Sequence, residues 1–188
     1  MLDKPNIQDA AVIDCLHKNF AITIQHITFL PLGADHNTAV YRAEAENGAA
    51  YFVKMRLENF HEMSLLIPKL LCNQGVPHIV TPLTTRDGQV WAHINGFHLS
   101  VYPFIAGQDG HDAGLSDAQW IEFGQMLKCI HMAVLAPKIA ERIPKESFSR
   151  QWRKQVRQFQ QQIAETTFDD PVSAALADLL KRQRPIVD

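Results

Sequence analysis

The stretch from Ile27 to Glu62 constrains the fold of this chain most, because it contains three β-type runs, a tight loop and the start of a helix. Side chains alternate between the two faces of a strand, so in the third run, 51–56, Phe52 and Lys54 share one face. A lysine in an apolar strand is unfavourable unless its ammonium meets an anion. The pattern therefore predicts that Lys54 pairs with Glu62, which stands at the start of the next predicted helix.

A plainer interpretation fits the same residues. Lys54 could extend to water along its aliphatic stem while Glu62 lies on a solvated helix face. Short motifs of this kind also occur by chance. The order of the elements around them has to decide between the two interpretations.

Composition excludes several classes of protein. The chain has 188 residues, 46% of them hydrophobic, which is enough for one sizeable core or two small ones. A net charge of -2 does not indicate the basic surface that binds nucleic acid, and no apolar run is long enough to cross a membrane. The three cysteines are widely spaced and the nine histidines are scattered singly, so we expect neither a disulfide framework nor a metal site. With no signal-peptide pattern at the N-terminus, we expect a cytoplasmic protein.

Hydrophobic periodicity and turn residues predict an amphipathic helix over 7–20, followed by an antiparallel sheet of about five strands with one inserted helix. The inserted helix spans 59–73, and Pro68 in its interior predicts a kink or break. Asn47-Gly48 is a strong hairpin signal. The predicted β-type runs are 22–30, 39–45, 51–56, 79–84, 89–94 and 97–102.

The character of the sequence changes after Gly107, where glycines and aspartates give way to helical patterns. We therefore predict two domains, residues 1–106 and 107–188. Ser116 begins a capping box and starts the first helix of the second part. A second helix is predicted over about 150–165, and a third begins at Asp170-Pro171 and runs to about residue 182.

In this order, the motifs resemble the small lobe, the hinge and the first large-lobe helices of the aminoglycoside phosphotransferases, a kinase-like family that modifies antibiotics. The matching features are Gly33-Ala34-Asp35-His36-Asn37, Tyr51-Phe52-Val53-Lys54, Tyr102-Pro103-Phe104-Ile105, and the helix from Trp120 to His131. The resemblance implies an α+β fold with a protein-kinase-like N-terminal lobe. It also implies ATP as the cofactor and an aminoglycoside or aminocyclitol hydroxyl as the phosphoryl acceptor.

The resemblance implies a role for each candidate residue. Lys54 would neutralise phosphate charge, and Glu62 would fix the direction of the lysine. Backbone N–H groups of one loop would face the β- and γ-phosphates, as a nest of amides does for an anion; the loop consists of Gly33, Ala34, Asp35, His36 and Asn37. At the other end, an adenine ring would meet Phe52, Tyr102, the Pro103 carbonyl and the Ile105 N–H.

One part of the family pattern is absent from the 188 residues. Family catalysis uses an H-x-D-x-x-x-x-N loop and a later aspartate, which supply the base and the Mg²⁺ ligands. We therefore assign no catalytic residue and no metal ligand here, and we expect Mg²⁺ only in a complete family member. Two hypotheses follow. The favoured one is a truncated N-terminal portion of a phosphotransferase, inactive by itself. The alternative is a natural short module that binds nucleotide or another protein without catalysis.

The predicted helices after Ser116 carry more apolar residues than one short chain can cover. Monomers rarely expose contiguous apolar patches above a few hundred Å², so we predict a homodimer, with exchange of helices through 107–114 as one route to it. The residues concerned are Trp120, Phe123, Leu127, Trp152, Phe159, Leu176 and Leu180.

Overall fold

The computed structural model describes residues 4–33, 35–108, 110–147 and 149–187. The chain divides into two compact units, Met1–Ile143 and Pro144–Asp188. Within the described residues, the first unit contains a sheet and five helices, and the second contains two helices. In chain order the elements are α1 (Asp9–Phe20), β1 (Ile24–Leu30), β2 (Thr38–Ala45), β3 (Ala50–Arg56), α2 (Met63–Asn73), β4 (Ala92–Ile94), β5 (Phe97–Pro103), α3 (Gly110–Ala113), α4 (Asp117–Met132), α5 (Pro137–Ala140), α6 (Gln151–Glu165) and α7 (Pro171–Val187).

The five strands form one antiparallel sheet in the order β1-β2-β3-β5-β4, with α2 inserted between β3 and β4. This confirms the predicted fold class. Asn47-Gly48 joins β2 to β3 as predicted. Gly48 has a φ of 82°, which favours glycine, and the Asn47 side chain accepts a hydrogen bond from the Ala49 N–H at 3.1 Å.

The core lies on one face of the sheet, under α1. Val53 and Met55 of β3 are fully buried there, together with Val12 and Leu16 of α1. The alternate residues of β3 point to the opposite face, as predicted from the two-residue repeat of a strand. That opposite face carries Phe52, Lys54 and Arg56.

The predicted strand over 79–84 is wrong. These residues form no strand, although the Leu83 N–H donates to the Val101 carbonyl at 2.7 Å. Pro82 has no N–H to donate to a ladder, and His78 just before the run has a φ of 59°. The turn before β4 does form, because the Thr85 N–H donates to the Gln89 carbonyl at 2.8 Å.

The inserted helix begins later than predicted, at Met63, with Glu62 at its N-cap position. It continues through Pro68 without a break. An interior proline costs about 3 kcal/mol in a regular helix. Burial of Met63, Leu65 and Leu71 offsets that cost.

The three helices predicted after the sheet form as α4, α6 and α7, and the short helices α3 and α5 were not predicted. The Ser116 capping box is present at the start of α4, and the Asp170 side chain accepts from the Ser173 N–H at 2.8 Å at the start of α7. Helix α7 runs to Val187, beyond the predicted end and through Pro185. Within the described residues, no helix is both long and apolar enough to span a membrane.

Candidate functional site

A cleft lies on the Lys54 face of the sheet, beside the end of β5. Its cavity has a volume of about 420 Å³. Five of the candidate residues from the sequence line it together, namely Phe52, Lys54, Tyr102, Pro103 and Ile105. The remaining lining residues are apolar and were not predicted: Leu30, Leu32, Val80 and Phe104.

Most of this cleft is an apolar slot. The rings of Phe52 and Tyr102 meet edge to face, with 6.4 Å between their centroids. Burial raises the pKa of Tyr102, although a hydrogen bond with Ser100 opposes the shift, so its hydroxyl stays neutral. The Arg42 guanidinium lies 4.7 Å from the centroid of the Phe104 ring and holds that ring by a cation–π contact. A flat apolar group fits such a slot.

The backbone at the end of β5 offers a polar edge to this slot. The Phe104 N–H donates to the Ala50 carbonyl at 3.0 Å, so Phe104 is bonded towards β3. Alternate residues of an antiparallel strand direct their backbone groups to opposite neighbours. The Pro103 carbonyl therefore points to the other edge of β5, the edge on which the Val101 carbonyl accepts from the Leu83 N–H. This is the position that the resemblance assigns to an adenine-reading carbonyl.

Lys54 is the charged residue among the described residues that line the cleft. Its neighbours across the sheet are Val40 on β2 and Ser100 on β5, and the Ser100 hydroxyl donates to the Lys54 carbonyl at 3.4 Å. Among the described residues, no carboxylate oxygen lies within 4.0 Å of the Lys54 ammonium. A cation among apolar and aromatic lining residues suits an anionic group carried by a flat ring.

The predicted ion pair between Lys54 and Glu62 is not made. The Glu62 Oε2 atom instead meets the Nη2 atom of Arg142 at 2.6 Å. Arg142 lies in the turn after α5, 80 positions along the chain from Glu62. Because this partner is so distant in sequence, no local pattern indicated it.

The loop before β2 is organised by Asp35. Its carboxylate accepts from the Asn37 N–H at 3.0 Å and from the Thr38 hydroxyl at 3.1 Å, and it pairs with the Arg56 guanidinium at 2.7 Å. The Asn37 hydrogen bond is the largest cause that lowers the pKa of Asp35, followed by the Thr38 hydrogen bond.

These contacts change the expected use of the loop. The Asn37 N–H, predicted to face phosphate, is already bonded within the loop. Gly33 has a φ of 96°, which favours glycine, and His36 is exposed. Ala34 lies outside the described residues.

A second, smaller cavity of about 220 Å³ adjoins the cleft and shares Lys54 and Tyr102 with it. It is bounded by β3, β5 and the first turn of α2. Its other lining residues are Arg56, Phe60, Ser64, Leu65, His98 and Ser100. The cavity therefore separates the Lys54 side chain from the helix that follows Glu62.

An aromatic cluster that was not predicted forms one wall of this second cavity. Phe60 stacks on His98 with ring centroids 3.9 Å apart. The ring centroids of Trp91 and His93 lie 5.0 and 4.5 Å from the centroid of His98. Burial is the largest cause that lowers the pKa of His98, and the neighbouring His93 adds to it. The Asn95-Gly96 hairpin carried the missed signal, because its register sets His93 opposite His98.

Comparison with solved structures finds similar folds. Spectinomycin phosphotransferase in complex with ADP and spectinomycin is 30% identical with a TM-score of 0.86, and the match covers 97% of this chain and 55% of that chain. The AMP-bound complex of spectinomycin phosphotransferase is 28% identical with a TM-score of 0.80, over 95% of this chain and 54% of that chain. The chain therefore has the fold of the spectinomycin phosphotransferases and is similar to them over nearly its whole length.

An aminoglycoside phosphotransferase from Alicyclobacillus acidocaldarius subsp. acidocaldarius DSM 446 shares the fold at 18% identity, with a TM-score of 0.62 over 97% of this chain and 50% of that chain. No protein-family description and no curated protein matches the sequence significantly. The chain spans about half the length of the phosphotransferases it matches. Within the described residues, no group of three or more His, Cys, Asp and Glu side chains is placed to hold a metal ion.

Proposed function

We propose that the cleft beside β5 binds an adenine nucleotide. The observation that carries this proposal is the 420 Å³ cavity, whose apolar and aromatic lining is joined by the cationic side chain of Lys54. Phe52 and Tyr102 would enclose the adenine, the backbone of Pro103 and Ile105 would meet its edge, and Lys54 would meet phosphate oxygens. The ADP- and AMP-bound spectinomycin phosphotransferases, which have the same fold, support this choice of ligand.

The wider activity is part of the same proposal. In a complete protein of this kind, ATP would supply a phosphoryl group to a hydroxyl of spectinomycin or another aminocyclitol or aminoglycoside. The H-x-D-x-x-x-x-N loop is absent from the 188 residues, so these residues alone would not perform the transfer. A nucleotide-binding or protein-interaction module without catalysis is the alternative. Reading the coding frame for that motif beyond residue 188 discriminates between the two.

Further features of the proposal concern organisation and location. Residues 1–106 would form the nucleotide-binding lobe and 107–188 the hinge and first helices of the next lobe, consistent with the change from strands to helices after Pro103. The free cysteines, Cys15, Cys72 and Cys129, support a reducing compartment such as the cytoplasm. Self-association as a homodimer is also part of the proposal.

Titration calorimetry with ATP tests nucleotide binding. We expect weak binding that changes little with Mg²⁺, because Lys54 and the hinge are present whereas the metal-binding side chains of the family motif are absent from the 188 residues. Lys54→Ala should weaken ATP binding about ten-fold or more, since it removes a charged hydrogen-bond donor.

Lys18→Ala is the matched control, because Lys18 lies on α1 and pairs with Asp14 on the same helix. It should leave the affinity unchanged. Equal affinity of the Lys54→Ala protein and the unmodified chain would refute the proposed site. Tight binding that requires Mg²⁺ would contradict the expected metal independence.

A further inference from the structure

We propose that Arg42 is a positioning residue for the adenine end of the cleft: its guanidinium fixes the Phe104 ring and, through it, the backbone groups on either side. This inference rests on the proposed nucleotide-binding function. Phe104 lines the cavity, whereas Arg42 is not among the described residues that do so. Arg42 would therefore act on a ligand through Phe104.

The base of the Arg42 side chain is rigid. Strand β2 lies between β1 and β3, and Arg42 is paired with Thr28 on one side and with Phe52 on the other. Directly paired residues of neighbouring strands project from the same face of the sheet. The side chain of Arg42 therefore leaves the sheet on the face that carries Phe52 and the cleft.

Two contacts direct the guanidinium along this face. Its Nη2 atom meets the Oε1 atom of Glu44 at 3.0 Å, and its Cζ atom lies over the Phe104 ring, 4.7 Å from the centroid. The Arg42 and Glu44 side chains are 44% and 45% exposed, so their ion pair contributes little energy. The ion pair does restrain the guanidinium beside the ring, where the aromatic face attracts a cation.

Phe104 is the residue at which the chain leaves the sheet. Strand β5 ends at Pro103, and the Phe104 N–H still donates to the Ala50 carbonyl at 3.0 Å. The next residue, Ile105, is already 67% exposed. Phe104 is thus held at two points, its backbone by β3 and its ring by Arg42.

The position of Phe104 sets the geometry of the edge proposed to meet adenine. The Pro103 carbonyl belongs to the peptide plane before Phe104, and the Ile105 N–H belongs to the plane after it. Peptide planes are rigid, so only the φ and ψ angles of Phe104 orient these two groups relative to each other. Hydrogen bonds weaken when they are misaligned. Arg42 should therefore affect binding of the base, as distinct from binding of the phosphates by Lys54.

NMR titration with adenosine and with ATP separates the base from the phosphates. Arg42→Gln should weaken binding of both ligands by the same factor, about three- to five-fold, the size expected for a partly exposed cation–π contact. Lys54→Ala should weaken ATP binding and change adenosine binding by less than about two-fold. Arg42→Lys keeps a cation at the ring and should restore most of the affinity. Arg182→Gln is the matched control, because it removes a guanidinium from an exposed ion pair with Asp178 on α7, and it should have no effect.

A double-mutant cycle with Arg42→Gln and Phe104→Leu tests the route of the effect. Phe104→Leu keeps an apolar side chain but removes the aromatic face. In that background, Arg42→Gln should change adenosine affinity by less than about 1.5-fold. Independent effects of the two changes would overturn the inference. Loss of affinity for ATP but not for adenosine in Arg42→Gln would also overturn it, because Arg42 would then act on the phosphates.

Hydrogen exchange of single backbone amides needs no nucleotide. Arg42→Gln should speed exchange of the Phe104 N–H about three-fold or more, since its bond to Ala50 opens more often once the ring is released. The Leu83 N–H, bonded to Val101 on the other edge of β5, should exchange at an unchanged rate. An unchanged rate at Phe104 would overturn the inference. Failure of the unmodified chain to bind adenosine or ATP, with the faster exchange retained, would refute the proposed function while supporting the restraint of Phe104 by Arg42.

Discussion

Asp35 shows how a single carboxylate organises the loop before β2. Three donors from Asn37, Thr38 and Arg56 converge on it, and one of them is a guanidinium at 2.7 Å. The loop that was predicted to hold phosphate therefore carries a negative charge of its own. Any phosphate would have to be placed on the Lys54 side of that charge.

The lowered pKa of Asp35 predicts a pH dependence of stability. As the pH falls, the Asp35 carboxyl takes up a proton first in the unfolded chain, at about pH 4. The stabilisation by its contacts in the folded chain is therefore present above that pH and is lost as the pH falls through the lower folded pKa. Between about pH 6 and about pH 3, the free energy of unfolding should fall less in Asp35→Asn than in the unmodified chain.

Denaturant unfolding at several pH values measures this difference. Asp14→Asn is the matched control, because it removes a carboxylate from an exposed ion pair with Lys18. An identical pH dependence in the Asp35→Asn protein and the unmodified chain would show that the loop contacts do not form in solution.

Among the elements, the ones built from neighbouring residues were predictable and the ones built from distant residues were not. Asn47-Gly48 fixed the β2–β3 hairpin, and Ser116 fixed the start of α4. The failure at 79–84 has a different cause, because only the distant β5 edge decides whether that segment pairs, and Pro82 prevents a full ladder.

The candidate site divides in the same way. The residues on β3 and at the end of β5 came from local alternation and family motifs, and they do line one cavity. The partner of Glu62 could not be predicted, since Arg142 is 80 positions away and nothing in its local sequence marks it. Charged side chains choose partners by three-dimensional proximity, which short patterns do not encode.

Helix α4 offers a test of stability at the scale of one element. Ser116→Ala removes the hydroxyl that accepts from the Gln119 N–H, so unfolding should become easier by about 1 kcal/mol. Gly124→Ala should act in the opposite direction by about 0.5–1 kcal/mol, because a Cβ there meets no atom within 4 Å. Urea unfolding of both variants measures the two opposite changes in the free energy of unfolding. A neutral Ser116→Ala would mean that α4 is already frayed at its start.

At the scale of the whole molecule, the apolar surface is the dominant feature. Helix α4 has no buried residue, and Trp120, Phe123 and Leu127 are 55%, 43% and 38% exposed. In the second unit, Trp152 and Phe159 are 73% and 61% exposed. Covering such surface stabilises by roughly 25 cal/mol per Å², which favours association.

We therefore predict that the chain is not a monomer at tens of micromolar. Light scattering during size-exclusion chromatography measures the mass, and a dimer is the expected result. Replacing Trp120 and Phe123 together by serine should weaken association, since their rings contact each other on the exposed face at 6.1 Å. A stable monomer that binds no apolar dye would contradict the prediction.

The purified chain should show no phosphotransferase activity towards spectinomycin or any aminoglycoside. Loss of a general base alone typically costs about 10²- to 10⁴-fold, and the motif for the metal ligands is absent from the 188 residues as well. Coupled detection of ADP formation measures it. Turnover that follows the purified protein and vanishes in Lys54→Ala would place catalytic groups within this chain.

The strand order has a consequence for the way the chain folds. Strands β1, β2 and β3 are neighbours in sequence and can pair through short turns, whereas β3 meets β5 only across α2 and β4. Lys54 and Ser100 are 46 positions apart, and closing so long a segment is slow and entropically costly. We expect the three-stranded meander to form first. A chain emerging during synthesis would then carry Lys54 on a finished hairpin well before the second wall of the cleft arrives.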